Sequence, residues 1–172
     1  MKDHREFTNY LGLPFGKKNK PAKVDPPPIK DKEYYVKMVE DFYRSLPDID
    51  PAEHVLDNEE DFRSWRLYRG STVTFISLDF RNGTHTLRMF SPLVYIPQSK
   101  ILPIYRECLE LNDRLFNCSL CTVKDVIGLV VRRPLEGLEP KDFESMTHYF
   151  TGVADDLDNA LADKFGAKLC TD

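Results

Sequence analysis

The sequence has few of the features that identify common classes of enzyme, membrane protein or secreted protein. Its four cysteines, in 172 residues, are too few to resemble a disulfide framework, which agrees with a reducing compartment. HExxH, GxSxG, Walker-type and GxGxxG patterns do not occur, so the usual sequence evidence for a metalloprotease, hydrolase or nucleotide-binding enzyme is missing. No apolar run approaches the roughly 20 residues that span a bilayer, and no apolar stretch follows the charged N-terminal segment. We therefore expect a cytoplasmic protein with no membrane segment.

The residues that most often carry catalysis or bind metals are scattered along the chain. The four histidines lie far apart in the sequence. Arg132 and Arg133 could bind an anion at a strand end, with solvation at the surface as the more frequent explanation. The closing segment is rich in aspartates, which on a helix form a solvated face and not the oxygen-rich loop that Ca²⁺ needs: Asp155, Asp156, Asp158 and Asp163. We expect no enzyme, no metal site and no cofactor.

Two cysteines, Cys118 and Cys121, have the spacing of a redox or metal-binding pair. If residues 116–123 form a strand, side-chain alternation places the two thiols on opposite faces, whereas a redox pair needs both sulfurs together, usually at a helix N-terminus. A structural zinc site would need two more ligands, and the sequence offers no second CxxC motif. We interpret both thiols as structural, and a thiol-redox or metal-binding role of this pair is the alternative hypothesis.

Charge is distributed unevenly along the chain. Residues 1–32 contain eight Lys or Arg and four Asp or Glu, a balance of +4, whereas residues 33–172 contain 16 and 24, a balance of −8. The segment GKKNKPAKVDPPPIK has almost no large apolar residue with which to offset its ordering entropy. We predict a flexible, basic, Pro/Lys-rich arm over 1–31 and a single domain over 32–168. A nucleic-acid partner is unlikely on this pattern, because no aromatic residues interleave with the lysines.

The sequence pattern in the first half of the domain predicts a helix followed by three strands. Asp31 can cap a helix over residues 32–46, in which apolar residues recur at helical spacing until Pro47 ends it. A polar connector follows, and then three β-rich runs, FRSWRLYR, STVTFISLDF and THTLRMFSPLVYI. Short connections at Gly70-Ser71 and Asn82-Gly83 predict an antiparallel meander.

The sequence pattern in the second half of the domain predicts a helix, a β-hairpin and a final helix. Ser99 can cap the second helix, whose apolar stripe includes Cys108, so that a buried, inert thiol is expected there. FNCSLCTV and VIGLVVRR are separated by Lys124-Asp125 and predict two more strands. The last helix begins near Pro140 and ends at Gly166, and it has the strongest periodicity of the chain. The element order is α-βββ-α-ββ-α, an α+β domain.

Residues 98–166 resemble a known family. The resemblance rests on the helix QSKILPIYRECLELND, the hairpin FNCSLCTVKDVIGLVVRRPLEGL and the closing helix FESMTHYFTGVADDLDNALADKFG. These segments look like the YbjN-like family, whose members share the fold of type III secretion chaperones. The resemblance implies a two-layer sandwich, with helices packed on one side of a five-stranded antiparallel sheet. It also implies a non-catalytic, commonly dimeric protein.

The third β-rich run has apolar residues at both odd and even positions. Leu87 and Met89 share one parity and Phe90 and Val94 the other, so both faces of the sheet would be apolar. A second subunit, a bound peptide or the N-terminal arm could cover the face opposite the helices, and a β-bulge is the alternative explanation. We predict a homodimeric, chaperone-like module that holds a protein partner or an extended peptide segment through residues such as Phe75, Phe90 and Tyr95.

Overall fold

The structure is a computed structural model that describes residues 30–83 and 85–170, in which helices pack on one side of an antiparallel sheet. The strands follow the order β1-β2-β3-β4-β6-β5 across the sheet. Along the chain the elements are α1 (Lys32–Ser45), β1 (Val55–Asn58), β2 (Phe62–Arg69), β3 (Thr72–Asp79), β4 (Thr86–Tyr95), α2 (Ile101–Asn112), β5 (Ser119–Val123), β6 (Val126–Pro134) and α3 (Pro140–Phe165).

The described sheet has six strands, and the prediction of five was wrong. The additional strand, β1, lies in the polar connector and pairs antiparallel with β2, Val55 opposite Trp65 and Asn58 opposite Arg63. All four of its residues are exposed. An edge strand of this kind is held by backbone hydrogen bonds and buries no side chain, so it shows no apolar alternation to detect. The predicted α+β class and the helices on one side are confirmed.

The core lies between the sheet and the helices. A row of buried side chains crosses four neighbouring strands, each residue directly opposite the next: Trp65, Ile76, Met89 and Val131. Helix α3 packs over this row, and the hydroxyl of Thr147 lies 3.7 Å from the sulfur of Met89. Phe143, Phe150 and Leu161 also belong to the buried face of α3. Burial of large side chains in this layer supplies most of the free energy that stabilises the domain.

The helix boundaries follow local capping chemistry. Asp31 accepts a hydrogen bond of 2.9 Å from the backbone N–H of Tyr34, as predicted, and α1 ends one residue before Leu46. The predicted Ser99 cap of α2 is wrong, because the N-cap residue is Lys100, with a φ of 63° and no side-chain hydrogen bond. Helix α3 ends at Phe165, and the next residue, Gly166, caps it with a φ of 66°, which favours glycine.

Strand β4 contains the β-bulge that was the alternative explanation for its two apolar parities. Its pairing with β6 shifts register between Pro92 and Val94. As a result Leu93 and Val94 are both buried although they are neighbours in sequence. The C-terminal segment runs beside this end of β4, where the backbone N–H of Cys170 donates to the carbonyl oxygen of Leu93 at 2.9 Å.

Most of the predicted N-terminal arm lies outside the described residues, so its extent remains a prediction. Lys30 is described, and its ammonium group contacts the body of the domain through Glu139, at 2.7 Å, and the hydroxyl of Tyr34, at 2.8 Å. These contacts raise the pKa of Lys30 and lower the pKa of Glu139. Within the described ranges, no helix is long and apolar enough to cross a membrane.

Candidate functional site

The three predicted partner-binding residues lie on the face of the sheet opposite the helices, which we call the open face. Phe75 on β3 is directly opposite Phe90 on β4, and Phe90 is directly opposite Val130 on β6. The bulge returns Tyr95 to the same face, opposite Val126. Phe75 and Phe90 are half-buried and Tyr95 is exposed. The structure therefore places two of the three residues directly opposite each other on neighbouring strands and the third farther along β4.

A glycine permits the position of the Phe90 ring. Gly128 on β6 faces the same side, and a Cβ atom there would lie 2.5 Å from Cε2 of Phe90 and 2.8 Å from the carbonyl oxygen of Ser91. Both distances are far below van der Waals contact, so the ring lies directly against the backbone of β6. The absence of a side chain on Gly128 thus leaves the space that the Phe90 ring occupies on the open face.

Three arginines share the open face with the aromatic residues. Arg66 on β2 is directly opposite Phe75, and Arg88 on β4 is directly opposite Arg132 on β6. The guanidinium carbon of Arg88 lies 4.8 Å from the centre of the Phe90 ring. Burial and the positive charge of Arg132 lower the pKa of Arg88. The face is therefore aromatic and positively charged.

Two of these arginines were not predicted from the sequence. Arg66 and Arg88 belong to strands that were predicted correctly, and each lies two positions before an aromatic residue, Tyr68 or Phe90. That spacing places an arginine and an aromatic side chain on one face of a strand, which is the signal that could have identified them.

The CxxC cysteines lie on opposite sides of the sheet, as predicted, but the strand is shorter than residues 116–123: β5 begins at Ser119, so Cys118 precedes it. Cys121 is opposite Gly128 on the open face, whereas Cys118 lines a cavity of about 280 Å³ on the helix side, with Val131 and Phe150. Burial raises the pKa of Cys118 to about 11 and also raises the pKa of Cys121. Because a redox or metal-binding thiol must be deprotonated, these environments do not fit the alternative hypothesis.

Two aspartates of α3 have a structural role that the sequence argument missed. Asp158 is 2% exposed and accepts a hydrogen bond of 2.7 Å from the hydroxyl of Ser71, and Asp155 accepts one of 3.2 Å from the backbone N–H of Ser71. Both carboxylates hold the β2–β3 hairpin against the helix. The prediction of a solvated face was therefore wrong for these two residues.

Helix α2 carries an exposed apolar stripe on the side away from the core. Leu102 and Leu109 are 81% and 71% exposed, and Tyr105 lies between them at helical spacing. The stripe borders a shallow depression of about 360 Å³ that also includes Leu120 of the edge strand β5. Exposed large apolar side chains at this spacing are typical of a protein contact surface.

The geometry of the sheet indicates the general class of this protein. One face of the sheet is covered by helices, and the other exposes aromatic side chains over several strands. Among the described residues, no group of three or more His, Cys, Asp or Glu could hold a metal ion. An uncovered aromatic sheet face of this kind is the architecture of a protein-binding module.

The comparison with protein families agrees with this class. The chain belongs to the family described as "T3SS (YopN, CesT) and YbjN peptide-binding chaperone 1", whose family model matches residues 34–172. The predicted resemblance to YbjN-like proteins and to type III secretion chaperones is confirmed, and so is a chaperone-like, protein-binding role. No curated protein sequence matches the chain.

Solved structures show the same fold at low sequence identity. A chain in the crystal structure of the ExsC–ExsE complex superposes with a TM-score of 0.54 and 15% identity, over 75% of this chain and 94% of that chain. A chain in the structure of the HopA1–SchA chaperone–effector complex superposes with a TM-score of 0.51 and 12% identity, over 73% and 94% of the two chains.

Proposed function

We propose that this protein is a non-catalytic, cytoplasmic chaperone that holds an extended segment of a partner protein against the open face, through Phe75, Phe90 and Tyr95. One observation carries the proposal: the helices cover one face of the sheet, and the other face exposes a directly paired Phe75 and Phe90. Membership in a family of peptide-binding chaperones supports it, as do two neighbours of this fold that occur in complexes, one of them a chaperone–effector complex.

The burial of Phe75 and Phe90 sets how much free energy the open face can contribute to binding a partner. Fully burying a phenylalanine side chain contributes about 1.5–3 kcal/mol. Because Phe75 and Phe90 are already half-buried, covering both rings contributes a few kcal/mol at most, so neighbouring contacts must add to the affinity. An extended segment makes such contacts at alternate positions, because every second side chain of a strand points to the same face.

Dimerisation is the second part of the proposal. The apolar stripe of α2, with Leu102 and Leu109, lies near the unpaired edge of β5. In a symmetric dimer, the stripe and the strand edge of one copy contact the stripe and the strand edge of the other. A stable interface buries about 800 Å² on each partner, so the stripe needs the neighbouring edge strand to reach that size. A dimer built in this way leaves the open face accessible to a partner segment.

Peptide selection tests the binding role. Random peptides of about 12 residues, long enough to cross the sheet at about 3.3 Å per residue, are selected on the full chain, and their affinities are measured by fluorescence anisotropy. The double variant Phe75→Ser/Phe90→Ser is expected to bind the selected peptides about tenfold more weakly or worse, because the central aromatic contacts are lost.

A matched variant controls for the loss of phenylalanine itself. Phe116→Ser removes a ring that is 69% exposed and lies outside the open face, so peptide affinity is expected to stay unchanged. Urea unfolding of each variant shows whether the domain is still folded in the assay. Equal affinities of the double variant and the wild-type protein would contradict the proposal.

A further inference from the structure

The open face is positively charged although the domain is acidic. Residues 33–172 contain 16 Lys or Arg and 24 Asp or Glu, a balance of −8. Three arginines nevertheless extend into the open face from three strands: Arg66, Arg88 and Arg132. This local reversal of charge occurs on the one sheet face that the helices leave uncovered.

The arrangement of these arginines is unfavourable without an anionic partner. Arg88 and Arg132 are directly opposite each other on β4 and β6, and like charges at directly opposite positions destabilise a sheet. Within the described ranges, no hydrogen bond or ion pair engages the guanidinium groups of Arg66, Arg88 or Arg132. Two carboxylates also lie on this face, and both hydrogen-bond to other groups: Asp57 accepts from Ser64, and Asp79 pairs with Arg81. Arg81 and, more weakly, the charge of Arg132 lower the pKa of Asp79.

Aromatic rings hold two of the guanidinium groups in place. The guanidinium carbon of Arg88 lies 4.8 Å from the centre of the Phe90 ring, and that of Arg66 lies 5.7 Å from the centre of the Tyr68 ring. A guanidinium group that lies over a ring keeps its N–H donors free at the edge, in the geometry that binds a carboxylate through two hydrogen bonds. The donors are thus ordered before a ligand arrives, which lowers the entropic cost of binding.

We propose that the open face selects extended peptide segments in which the side chains that point toward the sheet, at every second position, include both apolar and acidic residues. The apolar side chains cover Phe75 and Phe90, and the carboxylates bind the paired Arg88 and Arg132. This inference rests on the proposed function and adds the chemistry of the partner. It also excludes the chain's own basic N-terminal segment, residues 1–29, as the preferred occupant of this face, because like charges repel.

Charge-matched peptides test the inference. Three synthetic peptides of about 12 residues have phenylalanine or leucine at positions i and i+4 and either Asp, Asn or Lys at positions i+2 and i+6, so that all these side chains point to the same face. The intervening positions are identical in the three peptides. We expect the full chain to bind the Asp peptide about tenfold more tightly than the Asn peptide, and the Lys peptide most weakly. The preference for Asp is expected to shrink as salt is added.

Two double variants show whether Arg88 and Arg132 cause the preference for the Asp peptide. Arg88→Gln/Arg132→Gln is expected to remove the preference for Asp while the Asn peptide binds as before. The control Arg44→Gln/Arg106→Gln removes the same charge from exposed helix positions and is expected to keep the preference. Because Arg88 is half-buried, the single variant Arg132→Gln, at an exposed position, provides the same test if the double variant unfolds.

The possible results separate the two proposals. Equal binding of all three peptides, or a preference for Asp that persists in Arg88→Gln/Arg132→Gln, would overturn the charge selectivity and leave the proposed function standing. Tighter binding of a synthetic peptide of residues 1–29 than of the Asp peptide would also overturn it and make the arm the occupant. Failure of every peptide, including those selected from the random library, would overturn both proposals.

Discussion

At the scale of single residues, Gly128 determines where Phe90 can lie. A methyl group at this position would meet both the Phe90 ring, at 2.5 Å, and the backbone oxygen of Ser91, at 2.8 Å. The ring can rotate away but the backbone oxygen cannot, so Gly128→Ala is expected to lower the free energy of unfolding by about 1–3 kcal/mol. It should also weaken peptide binding at the open face. Urea unfolding and fluorescence anisotropy measure the two effects.

A second glycine provides the control for Gly128→Ala. Gly152 lies inside α3, and a Cβ atom there would be 3.5 Å from the Arg69 guanidinium group, an ordinary contact. Because alanine favours a helix by about 1 kcal/mol over glycine, Gly152→Ala is expected to leave stability unchanged or raise it. A Gly128→Ala protein as stable as Gly152→Ala would contradict the close packing of Phe90.

The burial of a single residue could be predicted from the sequence where it depends only on the periodicity of the residue's own helix or strand. Cys108 lies on the predicted stripe of α2 and is buried, and burial raises its pKa to about 11. Asp158 lies in a correctly predicted helix, yet its buried environment depends on Ser71, 87 positions away in the sequence. A local pattern predicts the face of the helix on which a residue lies, but not which hairpin packs there.

At the scale of elements, the contact between Ser71 and α3 fixes the β2–β3 hairpin to the helical layer. Removing the buried Asp158 carboxylate leaves the Ser71 hydroxyl without its acceptor, at a cost of about 1–3 kcal/mol. We expect Asp158→Ala to lower the urea midpoint accordingly, whereas Asp163→Ala, exposed on the same helix, should change stability by less than about 0.5 kcal/mol. Equal stability of the two variants would show that the contact contributes nothing.

The elements also show why the strand count was too low by one. The five predicted strands each bury side chains on at least one face, which produces the β-rich pattern in the sequence. Strand β1 has no such pattern because all its residues are exposed. The bulge in β4 was predicted only as an alternative. Apolar residues at both odd and even positions of a strand can mean that both faces of the sheet are covered, or that a bulge shifts the register within the strand.

At the scale of the whole molecule, the element order together with the sequence segments of residues 98–166 was enough to predict the family, whereas the site could be located only from the strand register. The open face combines residues from β2, β3, β4 and β6, and only the pairing of these strands places Arg66 beside Phe75 or Arg88 beside Arg132. Pairing depends on contacts distant in sequence, so the clustering of arginines could not be derived from one strand at a time.

The proposed dimer can be tested by light scattering on the full chain. We expect a mass of twice the 20.0 kDa of one chain, both for the full protein and for a form that lacks residues 1–29 and keeps the Lys30 contact to Glu139. Leu102→Asp/Leu109→Asp should give a monomer, because charges in the α2 stripe would be buried without partners, whereas Leu56→Asp, on exposed β1, should stay dimeric. A full-length monomer that associates only after the truncation would contradict this arrangement, because the arm would then be covering the surface through which two copies meet.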